Sequence, residues 1–222
     1  MFKRFAVYFT PQGALADKGA AWLGWDIASG CAADHPNIAG LDLAGLTATP
    51  RKYGFHATIK PPFALATGTD VAGLSQALAR FCTQFAPVTL DGLQVAQLGG
   101  FLALIPTGDQ EQLNHLAGEA VMRLDRFRAP PTAEELTRRR ASHLTPQQER
   151  NLREWGYPHV LDAFRFHMTL SGRVKQPKQI LPAVAAHFAD VLPQPFLIDS
   201  LTLAGERHDG MFEALQRYAL AG

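Results

Sequence analysis

Arg51-Lys52-Tyr53-Gly54-Phe55-His56-Ala57-Thr58-Ile59-Lys60-Pro61-Pro62-Phe63 decides how this chain is read, because its centre returns later as Phe166-His167-Met168-Thr169-Leu170. Both stretches read Phe-His-x-Thr-aliphatic, and in both the residues alternate polar with apolar. A period of two is the strand period, so one face should carry Gly54, His56, Thr58 and Lys60, and the other Phe55, Ala57 and Ile59. In the second stretch Arg165, His167, Thr169 and Ser171 should oppose Phe166, Met168 and Leu170. The apolar faces are expected to pack on helices. The polar faces then look into something wet, most simply one shared cleft.

Working outward, Arg4 to Thr10 reads as a first strand stopped by Pro11. Leu15 to Ala28 reads as a helix with Gly30 past its end, and a less defined segment covers Leu41 to Leu46. After the first motif, Asp70 is placed to cap a helix from Val71 to Phe85. Val88 to Val95 and Phe101 to Pro106 follow as strands joined across Gly99-Gly100. Asp109 then caps a helix to about Phe127. Thr132-Ala133-Glu134-Glu135 and Thr145-Pro146-Gln147-Gln148 each open a short helix. The second motif is followed by a helix from Pro177 to Phe188 and strands over Phe196 to Ala204 and Met211 to Leu220. The order after each motif is the same, which predicts an internal duplication: a single bilobal domain with approximate halves 1–107 and 108–222 and a helical insertion at about 130–157.

Composition narrows the function. In 222 residues, 47% hydrophobic and 18% charged content describes an ordinary globular chain of one large unit. A formal net charge of +1 argues against a broad nucleic-acid footprint but leaves room for a small anionic substrate held by local cations. Cys31 and Cys82 supply neither a disulfide framework nor zinc-site spacing, so a cytoplasmic setting is expected. The apolar run Phe5 to Phe9 is too short for a signal-peptide core, and no run approaches a membrane span.

Two imidazoles facing one cleft, each with a hydroxyl two residues on, suit acid–base displacement at phosphorus. An ordinary pKa of about 6.5 lets one ring accept a proton while the other donates one. Thr58 and Thr169 would hydrogen-bond the non-bridging oxygens, and Arg165 and Lys60, on the motif faces, would offset phosphate charge. The scheme calls for no metal and no cofactor.

The paired motifs resemble those of the 2H phosphoesterase superfamily, which includes cyclic phosphodiesterases and RNA 2′,5′-ligase-like proteins. The longer strings from Arg51 to Phe63 and Phe164 to Leu170 resemble more particularly a bacterial branch associated with phosphonate metabolism, with the Phe5–Thr10 strand and the Tyr157-Pro158 approach also matching its pattern. The resemblance implies a duplicated α/β (α+β) fold in which two antiparallel sheets flank a central cleft with helices outside. It implies His56 and His167 as the catalytic pair and Thr58 and Thr169 as phosphate ligands. The substrate expected is a small cyclic phosphate, either a nucleoside 2′,3′-cyclic or a ribose cyclic phosphate.

Alternatives are an RNA 2′,5′-ligase or RNA-end-processing enzyme acting on short RNA, and a non-catalytic protein that binds a nucleotide or phosphometabolite. No membrane and no obligate protein partner is called for. Tyr8 and Tyr53 are candidate substrate contacts, although a buried core position is the plainer reading of each. The Arg138-Arg139-Arg140 run is ordinarily a solvated helix face, and Arg138 is named as a candidate contact should the insertion close as a lid. His35, His115, His143, His159, His187 and His208 receive no role.

Overall fold

The computed structural model describes residues 2–222; Met1 lies outside the described residues. Strand β1 (Phe5–Phe9) leads into helix α1 (Gly13–Leu23) and a small β2–β3 pair (Trp25–Asp26, Cys31–Ala32). A single turn, α2 (Leu43–Leu46), precedes β4 (Ala57–Phe63), helix α3 (Val71–Cys82) and strands β5 (Val88–Leu90), β6 (Gly92–Leu98) and β7 (Phe101–Thr107). The chain continues through helices α4 (Glu111–Arg123), α5 (Ala133–Arg140) and α6 (Pro146–Trp155) to β8 (Met168–Thr169). Helix α7 (Pro177–Phe188) and strands β9 (Phe196–Ile198), β10 (Ser200–Glu206) and β11 (Phe212–Ala219) complete it.

The architecture is mixed α/β with antiparallel pairing throughout. Seven strands hydrogen-bond into one sheet ordered β11-β10-β1-β4-β8-β7-β6, in which β4 of the first motif pairs with β8 of the second. Beside it, β5 and β9 pair with each other. Strand alternation separates the faces. Phe5, Val7 and Phe9 of β1 enter the main core with Trp22 of α1, Leu78 of α3, Leu116 of α4 and Phe188 of α7. Ala6 and Tyr8 point the other way, into a smaller cluster with Trp25, Ile27, Ala204 and Phe212. One face of the sheet is therefore closed by helices, and the opposite face is free to carry a site. No helix among the described residues is long and apolar enough to cross a membrane.

Several expected boundaries shift for physical reasons. Helix α1 ends at Leu23, because Gly24 takes a left-handed conformation and its N–H closes the last turn on Ala20 and Ala21. The expected strand over Val88–Val95 breaks at Asp91, and that over Phe196–Ala204 breaks at Asp199, so each leaves a short strand (β5, β9) that pairs with the other. The second motif pairs over only two residues, Met168–Thr169, and follows the 3₁₀ turn Leu161–Ala163 after an irregular stretch over 164–167. Asp70 caps α3, and both capping boxes, Thr132/Glu135 and Thr145/Gln148, are formed.

Candidate active site

The two motifs are brought together by one backbone pairing. Ala57 is the antiparallel partner of Met168, which sets Thr169 opposite His56 and His167 opposite Thr58 on the adjoining positions. Directly opposed side chains have Cβ atoms about 4.5–5.5 Å apart, with diagonal neighbours at roughly 7–8 Å, so the two imidazoles stand diagonally across the pair. Phe55 and Phe166 anchor this register from behind. Both are buried in the main core, Phe55 facing Phe188 and Phe166 lying between Phe9 and Phe196. The indole N–H of Trp22 donates to the Leu170 carbonyl at 2.7 Å and ties α1 to the second motif.

The same device orients both rings. His56 Nδ1 lies 2.9 Å from the Gly54 carbonyl and His167 Nδ1 lies 2.7 Å from the Arg165 carbonyl. A carbonyl only accepts, so Nδ1 carries the proton in each ring and Nε2 is the free base when the ring is neutral. Gly54 holds φ 69°, and a Cβ there would meet Ile27 at 2.5 Å, so glycine is what lets this carbonyl reach His56. His56 Nε2 accepts from the Thr58 hydroxyl at 3.1 Å. Burial pushes His56 down to about 4, opposed by the Gly54 hydrogen bond and reinforced by His167. Burial lowers His167 too, against the Arg165 carbonyl that favours its charged form.

Two adjoining cavities open on this face. One, of about 500 Å³, is lined by Pro50, Tyr53, His56, Phe101, Thr169 and Arg173. The other, of about 660 Å³, is lined by Thr58, Tyr157, His159, Asp162, Arg165 and His167. Leu98, Gly99 and Phe101, at the tip of the β6–β7 hairpin, belong to both.

Of the sequence-predicted residues, His56, Thr58, His167, Thr169, Arg165 and Tyr53 line these cavities. Lys60 does not. Tyr8 pairs with Thr58 but Val7 with Lys60, so Ile59 and Lys60 together oppose Val7 in a bulge. The bulge returns Lys60 to the helix side, where it is 2% exposed and donates to the Val121 carbonyl at 2.9 Å and to Asp125 at 3.1 Å. Burial there pushes its amine down to about 8, with Asp125 acting to raise it.

Tyr8 is likewise corrected from substrate contact to support. It is fully buried, and its ring stacks on His56 with centroids 3.7 Å apart. Its hydroxyl has no hydrogen-bond partner among the described residues. Arg138 points to solvent. Its neighbour Arg139 turns inward instead, 4.4 Å over the Tyr157 ring, with a buried Nε that has no partner among the described residues. Helical spacing held that signal, because Arg139 lies three residues after Leu136, the apolar position of α5. Ser171 is buried and structural, accepting from the Leu102 N–H and donating to the Gly172 carbonyl. Among the described residues, no three His, Cys, Asp or Glu side chains converge as a metal ion would need.

This fold has counterparts among solved structures. The structure matches LigT of E. coli in complex with NADP⁺ over the whole of both chains, at a TM-score of 0.51 and 13% identity. It also matches TT0787 of Thermus thermophilus over 99% of this chain and 98% of that one, at a TM-score of 0.50 and 16% identity. The architecture is that of these two proteins. Residues 58–213 match the model described as "Protein of unknown function (DUF1045)", and the chain belongs to that family. Two relatives share the name Ribose 1,5-bisphosphate phosphokinase PhnN. That of Janthinobacterium sp. (strain Marseille) is 38% identical over 99% of this chain and 51% of its own length. That of Laribacter hongkongensis (strain HLHK9) is 35% identical over 93% and 49%. The chain spans about half the length of the curated relatives it matches.

Proposed function

We propose that the protein is a phosphodiesterase that hydrolyses a small cyclic phosphate by two-histidine acid–base catalysis without a metal ion. The observation that carries the reading is the Ala57–Met168 pairing, which faces each catalytic imidazole with the hydroxyl of the other motif. His56 is the general base and His167 the general acid. The base must be neutral and the acid charged at the same moment, and most molecules satisfy both when the base has the lower pKa. His56 is the ring driven down furthest, since Tyr8 covers one face and the charge of His167 opposes its own.

In the reaction, His56 Nε2 takes a proton from water as the water oxygen attacks phosphorus. The ring P–O bond breaks, and the departing oxygen takes the proton of His167 Nε2. The products are a phosphomonoester and a free hydroxyl. Thr58 turns its hydroxyl from His56 to one non-bridging oxygen, and Thr169 donates to another.

The relatives' shared name points to ribose phosphates as the substrate class. This chain has no G-x-x-x-x-G-K-S/T phosphate loop, so we assign the named kinase chemistry to the remainder of those longer proteins. Cys31 and Cys82 are both free thiols, which suits a cytoplasmic setting. The test is a turnover screen in EDTA over nucleoside 2′,3′-cyclic phosphates and ribose cyclic phosphates. Turnover that survives EDTA and vanishes in the His56→Ala/His167→Ala variant is expected. Silence across the panel, or turnover that EDTA abolishes, contradicts the proposal.

A further inference from the structure

We propose that the cavity beside His167 is a second anion subsite, which grips a phosphomonoester carried elsewhere on the substrate through Arg165, His159 and the Arg139–Tyr157 stack. This deepens the proposed function and rests on it for the identity of the reacting group.

The two cavities differ in chemistry. The His56 side presents Pro50 and Tyr53, surfaces suited to a sugar or a base, with Arg173 as its one cation besides His56. The His167 side gathers Arg165, His159 and His167 around about 660 Å³, with Asp162 as the one carboxylate in its lining. Arg165 is exposed and forms no ion pair among the described residues. Arg139 is half-buried, likewise without a carboxylate within ion-pair distance, and it backs the Tyr157 ring that lines the cavity. Its neighbour Arg140 is neutralised by Glu149 at 2.8 Å, so the unpaired cation of the two is the inward one.

His159 is prepared as a donor by the capping box of α6. Gln148 Oε1 accepts from the Thr145 N–H at 2.9 Å, which fixes the amide and turns its NH₂ to His159 Nδ1 at 3.2 Å. Nδ1 is therefore the acceptor, and the ring proton sits on Nε2. That is the opposite tautomer from His56 and His167. It makes His159 a hydrogen-bond donor when neutral and unfit as the base. Burial and the charges of Arg139, His167 and Arg165 lower its pKa, so the neutral donor is its resting form. A phosphate dianion entering the cavity would meet the Arg165 guanidinium, the His159 imidazole N–H and the Tyr157 side chain, with the charge of Arg139 behind that ring.

Two measurements test this. The first compares kcat/KM for a ribose cyclic phosphate with and without a 5-phosphate. Wild type is expected to favour the phosphorylated substrate by about 10²-fold or more, with the preference falling at least tenfold in Arg165→Ala and in His159→Ala. Arg165→Lys should restore part of it, and Arg138→Ala should leave it unchanged. Equal kcat/KM for the two substrates in wild type, or a preference that survives both Ala variants, overturns the subsite.

The second is calorimetric binding of ribose 5-phosphate to folded His56→Ala/His167→Ala protein, which needs no turnover. Binding that is absent for ribose and lost in the added Arg165→Ala/His159→Ala background supports the subsite even if no cyclic phosphate is hydrolysed. No binding, or binding indifferent to those two residues, overturns it while leaving the reaction at the His pair to stand or fall by itself.

Discussion

The role proposed for His56 as the base rests on what covers it. Tyr8 removes water from one ring face and Gly54 holds the proton on Nδ1, so the neutral imidazole with Nε2 free is the resting state. Its pKa of about 4 in the fold, against about 6.5 in an unfolded chain, has a stability consequence with a definite sign. Between those values the unfolded chain binds the proton and the folded protein does not. The stability that His56 contributes is whole above about pH 6.5 and is lost as pH falls toward 4. Chemical unfolding at pH 7 and pH 4.5 should show a smaller loss for His56→Gln than for wild type, and an equal loss would count against the burial argument. Both limbs of the kcat/KM profile should lie on the acid side of 6.5. The kcat profile should sit higher, because a bound phosphate anion favours imidazolium. Thr58 and Thr169 each aim one hydroxyl, and Thr→Val at either should lower kcat more than it raises KM.

At the scale of the element, the bulge in β4 separates a lysine that reads as functional from one that is structural. Pro61 and Pro62 donate no N–H to the ladder, the register slips, and Lys60 changes face. Lys60→Met should destabilise the fold by about 1–3 kcal/mol, the cost of leaving the Val121 carbonyl unpaired, with kcat/KM on a cyclic phosphate nearly unchanged. A large rise in KM would return Lys60 to the site. Thr145→Ala should cost roughly 1 kcal/mol, the loss of the hydroxyl that accepts from the Gln148 N–H, while Gln148→Ala should weaken the preference for phosphorylated substrate, since it removes the amide that holds His159 Nδ1.

These elements show what sequence could and could not give. The alternation around His56 and His167, both capping boxes and the Gly99–Gly100 hairpin are local patterns, and the structure holds them. The face of Lys60 and the inward turn of Arg139 depend on register and on which neighbours arrive. Thr145-Pro146-Gln147-Gln148 is legible as a helix start, but nothing local says that the same glutamine sets a histidine's tautomer eleven residues later.

On the scale of the whole molecule, the hairpins are exchanged. The β6–β7 hairpin of the first half joins β8 of the second, and the β10–β11 hairpin of the second joins β1 of the first. We propose that halves 1–107 and 108–222 descend from one duplicated unit, with the segment at about 130–157 as an addition. Neither half should then fold when expressed by itself, while co-expression should restore far-UV and near-UV dichroism; a stable single half would refute the exchange as a folding requirement. The near-neutral charge predicts a shallow salt dependence for any RNA binding, and a steep slope would favour the RNA-processing reading.

The most direct test of the central claim is kcat/KM on a cyclic phosphate in EDTA for wild type, His56→Ala and His167→Ala, with folding checked by dichroism. The account predicts losses of about 10²–10⁴-fold in each single variant, because each removes one positioned proton transfer. Wild-type turnover in either variant would contradict it.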